Sequence, residues 1–230
     1  IGSAIETLQR ARELAVTAND PTKTAAERQA VAEEADHLLQ NLIDLGAMKH
    51  RGRMLFSGTQ TDTPSFAALT DLSGRIVGVT YQGNGDSFAT EFTPDETIAY
   101  NMLGADDAGA GFGLLRDAGA GVDVFQALIN LRDNAASNPA ALDANVQELT
   151  AALAHVTEGA ARAGGVQARL AAAIARHEDQ RTVLVSAVSR IEDTDVAAAI
   201  TELNSLQTAY EAALAVGARI GQLSLLDYLK

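Results

Sequence analysis

Four histidines are the side chains in this sequence that could most readily hold a metal ion or transfer a proton near neutral pH. No two of them have the spacing of a metal-binding pair on one helix face. Cysteine, the other frequent metal ligand and nucleophile, does not occur in the chain. We therefore expect all four to be surface or helix-face residues: His37, His50, His155 and His177.

An acidic cluster and two glycine-rich segments complete the candidates for chemistry. Glu33, Glu34 and Asp36 point in different directions on a helix, which indicates a solvated face rather than paired catalytic carboxylates. Residues 83–86 (GNGD) and 109–113 (GAGFG) lack the lysine of a phosphate-binding loop and the spacing of a calcium loop. No serine stands in a nucleophile elbow. The sequence therefore predicts a protein without enzymatic activity, with no catalytic residue, no metal site and no cofactor.

The composition favours closely packed helices over a bulky globular core. Hydrophobic residues make up 47 % of the 230 residues, yet only 4 % are aromatic and tryptophan is absent. Alanine dominates the apolar residues, and it combines a high helix propensity with a side chain small enough for close helix contacts. These features are typical of thin helical bundles.

The charge excludes two classes of partner. The net charge is −13, from 30 acidic and 17 basic residues. Nucleic acids and anionic membrane surfaces both require clustered lysine and arginine, so neither is an expected partner. No run of 18 apolar residues is present, so no transmembrane helix is expected. A strongly negative charge instead helps to keep a subunit soluble before it assembles.

The elements that must position any functional surface are long helices. In residues 141–190 the apolar residues recur at steps of three and four without a proline, which predicts a rod of about 75 Å. Asn138 and Pro139 open this rod, and Gly164 and Gly165 within it indicate either a close helix contact or a bend. Residues 192–195 predict a break, with Asp193 or Thr194 as the cap of a last helix.

Two further helices are predicted near the N-terminus, at 5–19 and 24–49. Pro21 ends the first, and Thr24 with Glu27 has the spacing of a capping box at the start of the second. Heptad steps along the second helix predict that three leucines face the C-terminal rod in an antiparallel bundle. These leucines are Leu38, Leu42 and Leu45.

Between the helical arms the pattern changes to strands and turns. Strands are predicted at 75–82, 87–92 and 97–102, a glycine-rich loop at 103–121, and a short helix capped by Asp123. The predicted fold is therefore mainly α with a β insert (α+β), an elongated bundle of long antiparallel helices carrying a small antiparallel β domain. The predicted segments are an N-terminal arm (1–52), a β-rich outer domain (53–121), a C-terminal arm (122–191) and an assembly helix (192–230).

The last helix carries the candidate binding surface. Its large apolar residues follow a helical stripe, and a contiguous apolar surface of this kind marks an interface between proteins. We therefore predict an assembly stripe formed by Val196, Ile200, Leu203, Tyr210, Leu214, Ile220, Leu223 and Leu226.

Several segments resemble the bacterial flagellin superfamily, in the same order along the chain. Residues 8–16 (LQRARELAV) resemble the first core helix of flagellins, and residues 53–58 (RMLFSG) continue that resemblance. Residues 191–199 and the ending at 223–229 (LSLLDYL) are similar to the flagellin C-terminal core. Within the superfamily, residues 56–66, 81–83 and 124–128 look most like the hook–filament junction family, hook-associated protein 3.

This resemblance implies a structural subunit that joins hook to filament, exported without a cleaved signal peptide and located outside the cell in the flagellum. It implies partners among flagellar subunits: hook-associated protein 1, filament flagellin, further copies of the chain itself, and an export chaperone before secretion. In the family, the terminal segments pair as coiled coils and the β domain faces outward.

Two alternatives remain open from the sequence, filament flagellin and a secreted coiled-coil effector or adhesin. An enzyme acting from the β insert is a more distant third. Because the chain begins Ile1-Gly2-Ser3, we also expect a natural N-terminal segment to be missing. Without that partner segment we expect this form to be monomeric in solution, with the region beyond Val196 more mobile than the rod.

Overall fold

Five α-helices and nine short strands form the chain in this computed structural model, which describes residues 1–93, 96–192 and 195–228. The helices are α1 (Gly2–Ala18), α2 (Ala25–Gly46), α3 (Val124–Ser137), α4 (Leu142–Glu192) and α5 (Val196–Tyr228), with a short 3-10 helix at Pro139–Ala141. The strands are β1 (Lys49–His50), β2 (Arg53–Met54), β3 (Phe66–Thr70), β4 (Ile76–Tyr81), β5 (Ala89–Thr93), β6 (Glu96–Ala99), β7 (Leu103–Asp106), β8 (Gly113–Asp117) and β9 (Val122–Asp123). The α+β fold class predicted from the sequence is confirmed.

Local signals placed the starts of α2 and α3 correctly, whereas α2 was predicted to end at residue 49 and ends at Gly46. The side chain of Thr24 accepts a hydrogen bond from the Glu27 N–H, and Glu27 accepts one from the Thr24 N–H in return, so the predicted capping box is present. Asp123 caps α3 by accepting from the N–H of Gln126 at 2.9 Å. These bonds satisfy backbone N–H groups that have no partner inside the helix.

We expect Thr24→Ala to destabilise the protein by about 1 kcal/mol, because it removes the side-chain acceptor at the start of α2. The shift of the urea midpoint measures this effect. Thr17→Ala is the matched control, since the exposed Thr17 hydroxyl only donates to the Glu13 carbonyl within its own helix. A variant at position 24 with the wild-type midpoint would show that the cap does not contribute to stability.

The same cap makes this contribution dependent on pH. Hydrogen bonds from the Thr24 backbone N–H, from Lys23 and from the Thr24 hydroxyl lower the pKa of Glu27 to about 2. A lowered carboxyl pKa stabilises the folded state above the ordinary carboxyl pKa, and that contribution is lost as the pH falls towards the folded-state value. Of these three donors Thr24→Ala removes only the hydroxyl, so its difference from the wild type should shrink in part when urea unfolding is repeated in acid.

The short helix α3 lies at the centre of the core, where the sequence had predicted the long rod. Phe125, Leu128 and Leu131 of α3 are all buried, and α2 packs chiefly against α3 and then against α1. The prediction that Leu38, Leu42 and Leu45 face the C-terminal rod is therefore wrong about the main partner of α2. The reason is that α3 is apolar on several faces, so it can be covered by α1, α2 and β4 at once.

A buried arginine on α3 ties three elements together. The guanidinium of Arg132 donates to a carboxylate oxygen of Asp36 on α2, to Asp133 beside it, and to the carbonyl of Ile76 on β4, each at 2.7 Å. Only 3 % of Arg132 is exposed. A buried charge is tolerated only when it is paired and hydrogen-bonded, so these contacts fix how α2, α3 and β4 meet.

The β region differs from the predicted single antiparallel sheet. Three two-stranded antiparallel pairs are present, β1–β2, β3–β4 and β5–β6, together with a three-stranded sheet in the order β7-β8-β9. In that last sheet β7 and β8 run parallel and β8 and β9 antiparallel. The strands predicted at 75–82 and 87–92 correspond to β4 and β5, while the β1–β2 hairpin around Arg51 and Gly52 was not predicted.

Residues 103–121 were predicted as a loop, and this is wrong because β7 and β8 lie within them. One of their glycines, Gly113, is required by close backbone contact. A Cβ at Gly113 would collide with the Arg116 carbonyl oxygen and the Asp106 nitrogen, which are backbone atoms of the two paired strands. Glycine here reflects tight packing of strands and is no sign of a flexible loop.

The predicted features of the long rod are confirmed in part. The rod is one helix, α4, and a Cβ at Gly164 or Gly165 would meet nothing within 4 Å, so neither glycine serves a close contact inside the chain. The predicted break is present, since α4 ends at Glu192 and α5 begins at Val196. Asp195 is the cap, accepting a hydrogen bond from the Ala198 N–H at 3.1 Å. The predicted caps, Asp193 and Thr194, lie outside the described residues.

Two compact units divide the chain, residues 1–173 and residues 174–230. The first contains α1, α2, α3, the strands, the start of α4 and the hydrophobic core; the second contains the end of α4 and all of α5. The four segments predicted from the sequence remain a prediction.

Candidate assembly surface

The helix α5 presents its large apolar side chains to solvent between Val196 and Ile220, the part in which side chains are described. Val196, Ile200, Leu203, Tyr210, Leu214 and Ile220 are between 52 % and 67 % exposed. The side chains of Leu223 and Leu226, the other two members of the predicted stripe, lie outside the described residues. Since the hydrophobic core contains no α5 residue in the described part of the chain, α5 leaves this surface uncovered.

Two residues of this surface were missed by the sequence analysis. Leu206 is 61 % exposed and Val216 is 57 % exposed. Leu206 lies three residues after Leu203 and four before Tyr210, and Val216 lies four before Ile220, so both have the helical spacing of the stripe itself. They therefore belong to the same apolar surface as the predicted residues.

Charged and polar groups are sparse on α5. Between Val196 and Ile220 the charged residues are Glu202, Glu211 and Arg219. The hydroxyls of Thr201 and Thr208 donate to carbonyls one turn earlier in the helix, at 2.7 and 2.8 Å. Hydroxyls satisfied in this way need no water or external partner, so they can enter an apolar interface at low cost.

The end of α4 in the second unit has the same character. Six large apolar residues there are between 48 % and 84 % exposed: Ile174, Val183, Leu184, Val185, Val188 and Ile191. Exposed apolar surface on this scale is unusual for a monomeric soluble protein. In the described part of the chain, no helix is long and apolar enough to cross a membrane.

The residues first considered for chemistry serve the fold instead. Glu34 forms an ion pair with Arg10 at 2.7 Å, and Asp36 forms one with the buried Arg132 at 2.7 Å. Glu33 is exposed, so the three carboxylates do not meet. Among the described residues, no group of three or more histidines and carboxylates could hold a metal ion.

One histidine departs from the prediction. His37, His50 and His177 are exposed, but only 7 % of His155 is exposed. Its Nε2 atom lies 2.8 Å from the carbonyl oxygen of Gly113, and its ring stacks on Phe112 with the centroids 4.5 Å apart. The burial of His155 was not predictable from its position on α4, because it depends on β8 and Phe112 packing against that helix.

Two buried aspartates near His155 also have structural partners. Asp106 accepts hydrogen bonds from the N–H groups of Gly109 and Gly111. Asp117 accepts from Gly113 and Ala120, at 3.2 and 2.8 Å. A carboxylate engaged by two backbone N–H groups holds a loop in place. The glycine-rich segment is therefore ordered by its own aspartates.

A family model supports the assembly interpretation. Residues 146–229, which include α5 and most of α4, match the model of the bacterial flagellin C-terminal helical region. No curated protein matches the chain with statistical significance.

Solved structures share the fold over most of the chain. Flagellar hook-associated protein 3 of Legionella pneumophila superposes with a TM-score of 0.68 at 15 % identity, covering 84 % of this chain and 90 % of that one. A flagellar hook-associated protein from Vibrio parahaemolyticus gives 0.66 at 22 % identity, covering 82 % and 80 % of the two chains. FlgL of Xanthomonas campestris gives 0.64 at 17 % identity, covering 82 % and 90 %. At these identities the likeness shows a common fold.

Proposed function

We propose that this chain is a structural subunit of the bacterial flagellum that joins the hook to the filament. Residues 146–229 carry the flagellin C-terminal helical region, and the fold is that of hook-associated proteins. The observation that carries the proposal is the uncovered apolar surface of α5, because it lies inside the matched region and requires a protein partner.

The proposed partners follow from this role. They are further copies of the chain, hook-associated protein 1 and filament flagellin, with an export chaperone before secretion. The net charge of −13 disfavours nucleic acid and anionic membranes as partners. The proposed location is the flagellum outside the cell, reached by export without a cleaved signal peptide.

The proposal includes the absence of catalysis. The carboxylates of Glu34, Asp36 and Asp117 and the buried ring of His155 make their hydrogen bonds and ion pairs with the chain itself. A catalytic site instead brings together groups that remain free to act on a substrate.

Filament flagellin is the second candidate, because the matched family model is named for flagellins. The two functions differ in where the protein lies. A junction protein occupies one short zone at the base of each filament, whereas flagellin occupies the whole filament.

A single label at Leu72 separates the two candidates. The chain has no cysteine, and Leu72 is fully exposed in the turn between β3 and β4, so Leu72→Cys offers one site for a maleimide dye. We expect one fluorescent spot between each hook and filament when the variant replaces the natural protein. Continuous labelling along the filament would establish flagellin instead, and flagella that carry no dye would contradict both functions.

A further inference from the structure

A groove of about 680 Å³ lies between residues 97–103 and the middle of α4, inside the first compact unit. Its lining combines apolar side chains with two arginines, and the described lining residues include no aspartate or glutamate. This is unusual in a chain with 30 acidic and 17 basic residues. We call it the α4 groove. On the side formed by α4 its lining includes Arg162, Gly165, Gln167 and Arg169.

The two arginines have different surroundings. Arg162 is held in place, since its guanidinium donates to Glu158 at 2.7 and 3.0 Å and lies 4.3 Å from the centroid of the Phe112 ring. Arg169 follows two turns later on the same side of the helix, is exposed, and forms no ion pair with any described residue. An unpaired guanidinium beside apolar surface suits a carboxylate carried next to apolar side chains.

Gly165 is a second sign that something approaches this groove. Glycine inside a helix is less favourable than alanine, yet a Cβ at this position would meet nothing within 4 Å. The chain itself therefore does not require glycine here. An exposed glycine that lines a groove allows another backbone to come close to the helix.

We propose that the α4 groove binds an acidic segment of a second copy of this chain. Copies with a charge of −13 repel each other when they lie side by side, and an arginine-lined groove converts part of that repulsion into attraction. The inference rests on the proposed function in one respect, that copies of the chain are neighbours in an assembly.

Photo-crosslinking of the purified chain tests this contact directly. Gln167→Cys places a single thiol in the groove of an otherwise cysteine-free protein, and a benzophenone maleimide attached there reacts with whatever lies beside it. Mixing isotopically heavy and light protein at high concentration separates contacts between copies from contacts within one. We expect mixed-isotope peptides that contain aspartate or glutamate.

Two variants in the same labelled background test the mechanism, and a neighbouring glycine supplies the control. Arg169→Glu reverses the free charge, and Gly165→Leu fills the groove. We expect each to lower the yield of mixed-isotope crosslinks about tenfold, which corresponds to about 1.4 kcal/mol. Gly164→Leu should leave the yield unchanged, because Gly164 has equally open surroundings but does not line the groove. Circular dichroism checks that all three keep their helices.

Each outcome decides the proposal. Equal yields in the three variants, crosslinks within one copy only, or partner peptides without acidic residues would overturn it. The same benzophenone label can be attached to Asn204→Cys on α5. If that label crosslinks copies while the label in the groove does not, the groove is not a contact between copies, and assembly through α5 remains supported. The location experiment with Leu72→Cys decides the proposed function independently.

Discussion

Replacing Leu203 or Leu214 by aspartate should prevent the protein from entering a flagellum while residues 1–173 stay folded. The two leucines are 55 % and 56 % exposed on α5, and the hydrophobic core of the described chain contains neither. Burying one such side chain in an interface contributes about 1.5–3 kcal/mol. An unpaired carboxylate in the same place costs several kcal/mol more. The substitution therefore turns a contact that favours assembly into one that opposes it.

Export, incorporation into the flagellum and swimming are measured for each of the two variants, Leu203→Asp and Leu214→Asp. In a strain that lacks the natural gene, we expect export of the variant into the medium, loss of the label at the filament base, and loss of swimming. The purified variant should show the urea midpoint of the wild type. The matched control is Asn204→Asp, which adds the same charge at an exposed position next to Leu203 but outside the stripe.

Normal flagella built from Leu203→Asp and Leu214→Asp would show that α5 is not an assembly surface. A fall in the urea midpoint of the purified variants would show that Leu203 and Leu214 contribute to the stability of the folded chain. If Asn204→Asp fails equally, a negative charge anywhere on α5 is harmful and the stripe has no special role.

Gly113→Ala should be among the most destabilising substitutions in the chain, by about 3 kcal/mol or more. Gly113 is buried in β8, where its N–H donates to Asp117 and its carbonyl lies 2.8 Å from Nε2 of His155. An alanine Cβ would collide with backbone atoms of Arg116 and Asp106. Backbone in a paired strand cannot rotate away as a side chain can, so β8 would have to change its own backbone path at Arg116 and also move away from Asp106 on β7.

The control for this variant is the same substitution at an open site. Gly164→Ala adds a methyl group to an exposed position inside α4 with nothing within 4 Å, and should stabilise the protein by about 1 kcal/mol through helix propensity. Urea unfolding of both variants is the measurement. The prediction for Gly113 fails if its variant unfolds at the wild-type urea midpoint and its unfolding free energy depends on urea concentration as steeply as in the wild type.

Local sequence patterns determined the helices and the caps at the starts of α2 and α3. The apolar steps of three and four placed α4 and α5, and the Thr24–Glu27 and Asp123 caps were correct, because a cap depends only on residues three positions apart. The apolar character of α5 was also readable, since few charged residues interrupt its apolar pattern. Eight residues of the proposed assembly surface were named from sequence, and the six with described side chains are exposed.

Only the tertiary structure decided which surfaces meet inside the first unit. The ion pair between Arg132 and Asp36 joins residues 96 positions apart, and no local pattern connects them. The pairing of β7 with β8 through Gly113, and the burial of His155 against Gly113 and Phe112, likewise depend on contacts between distant segments. Periodicity shows that a side chain needs to be buried, but its partner depends on which backbones can approach closely enough, and that is fixed by the fold as a whole.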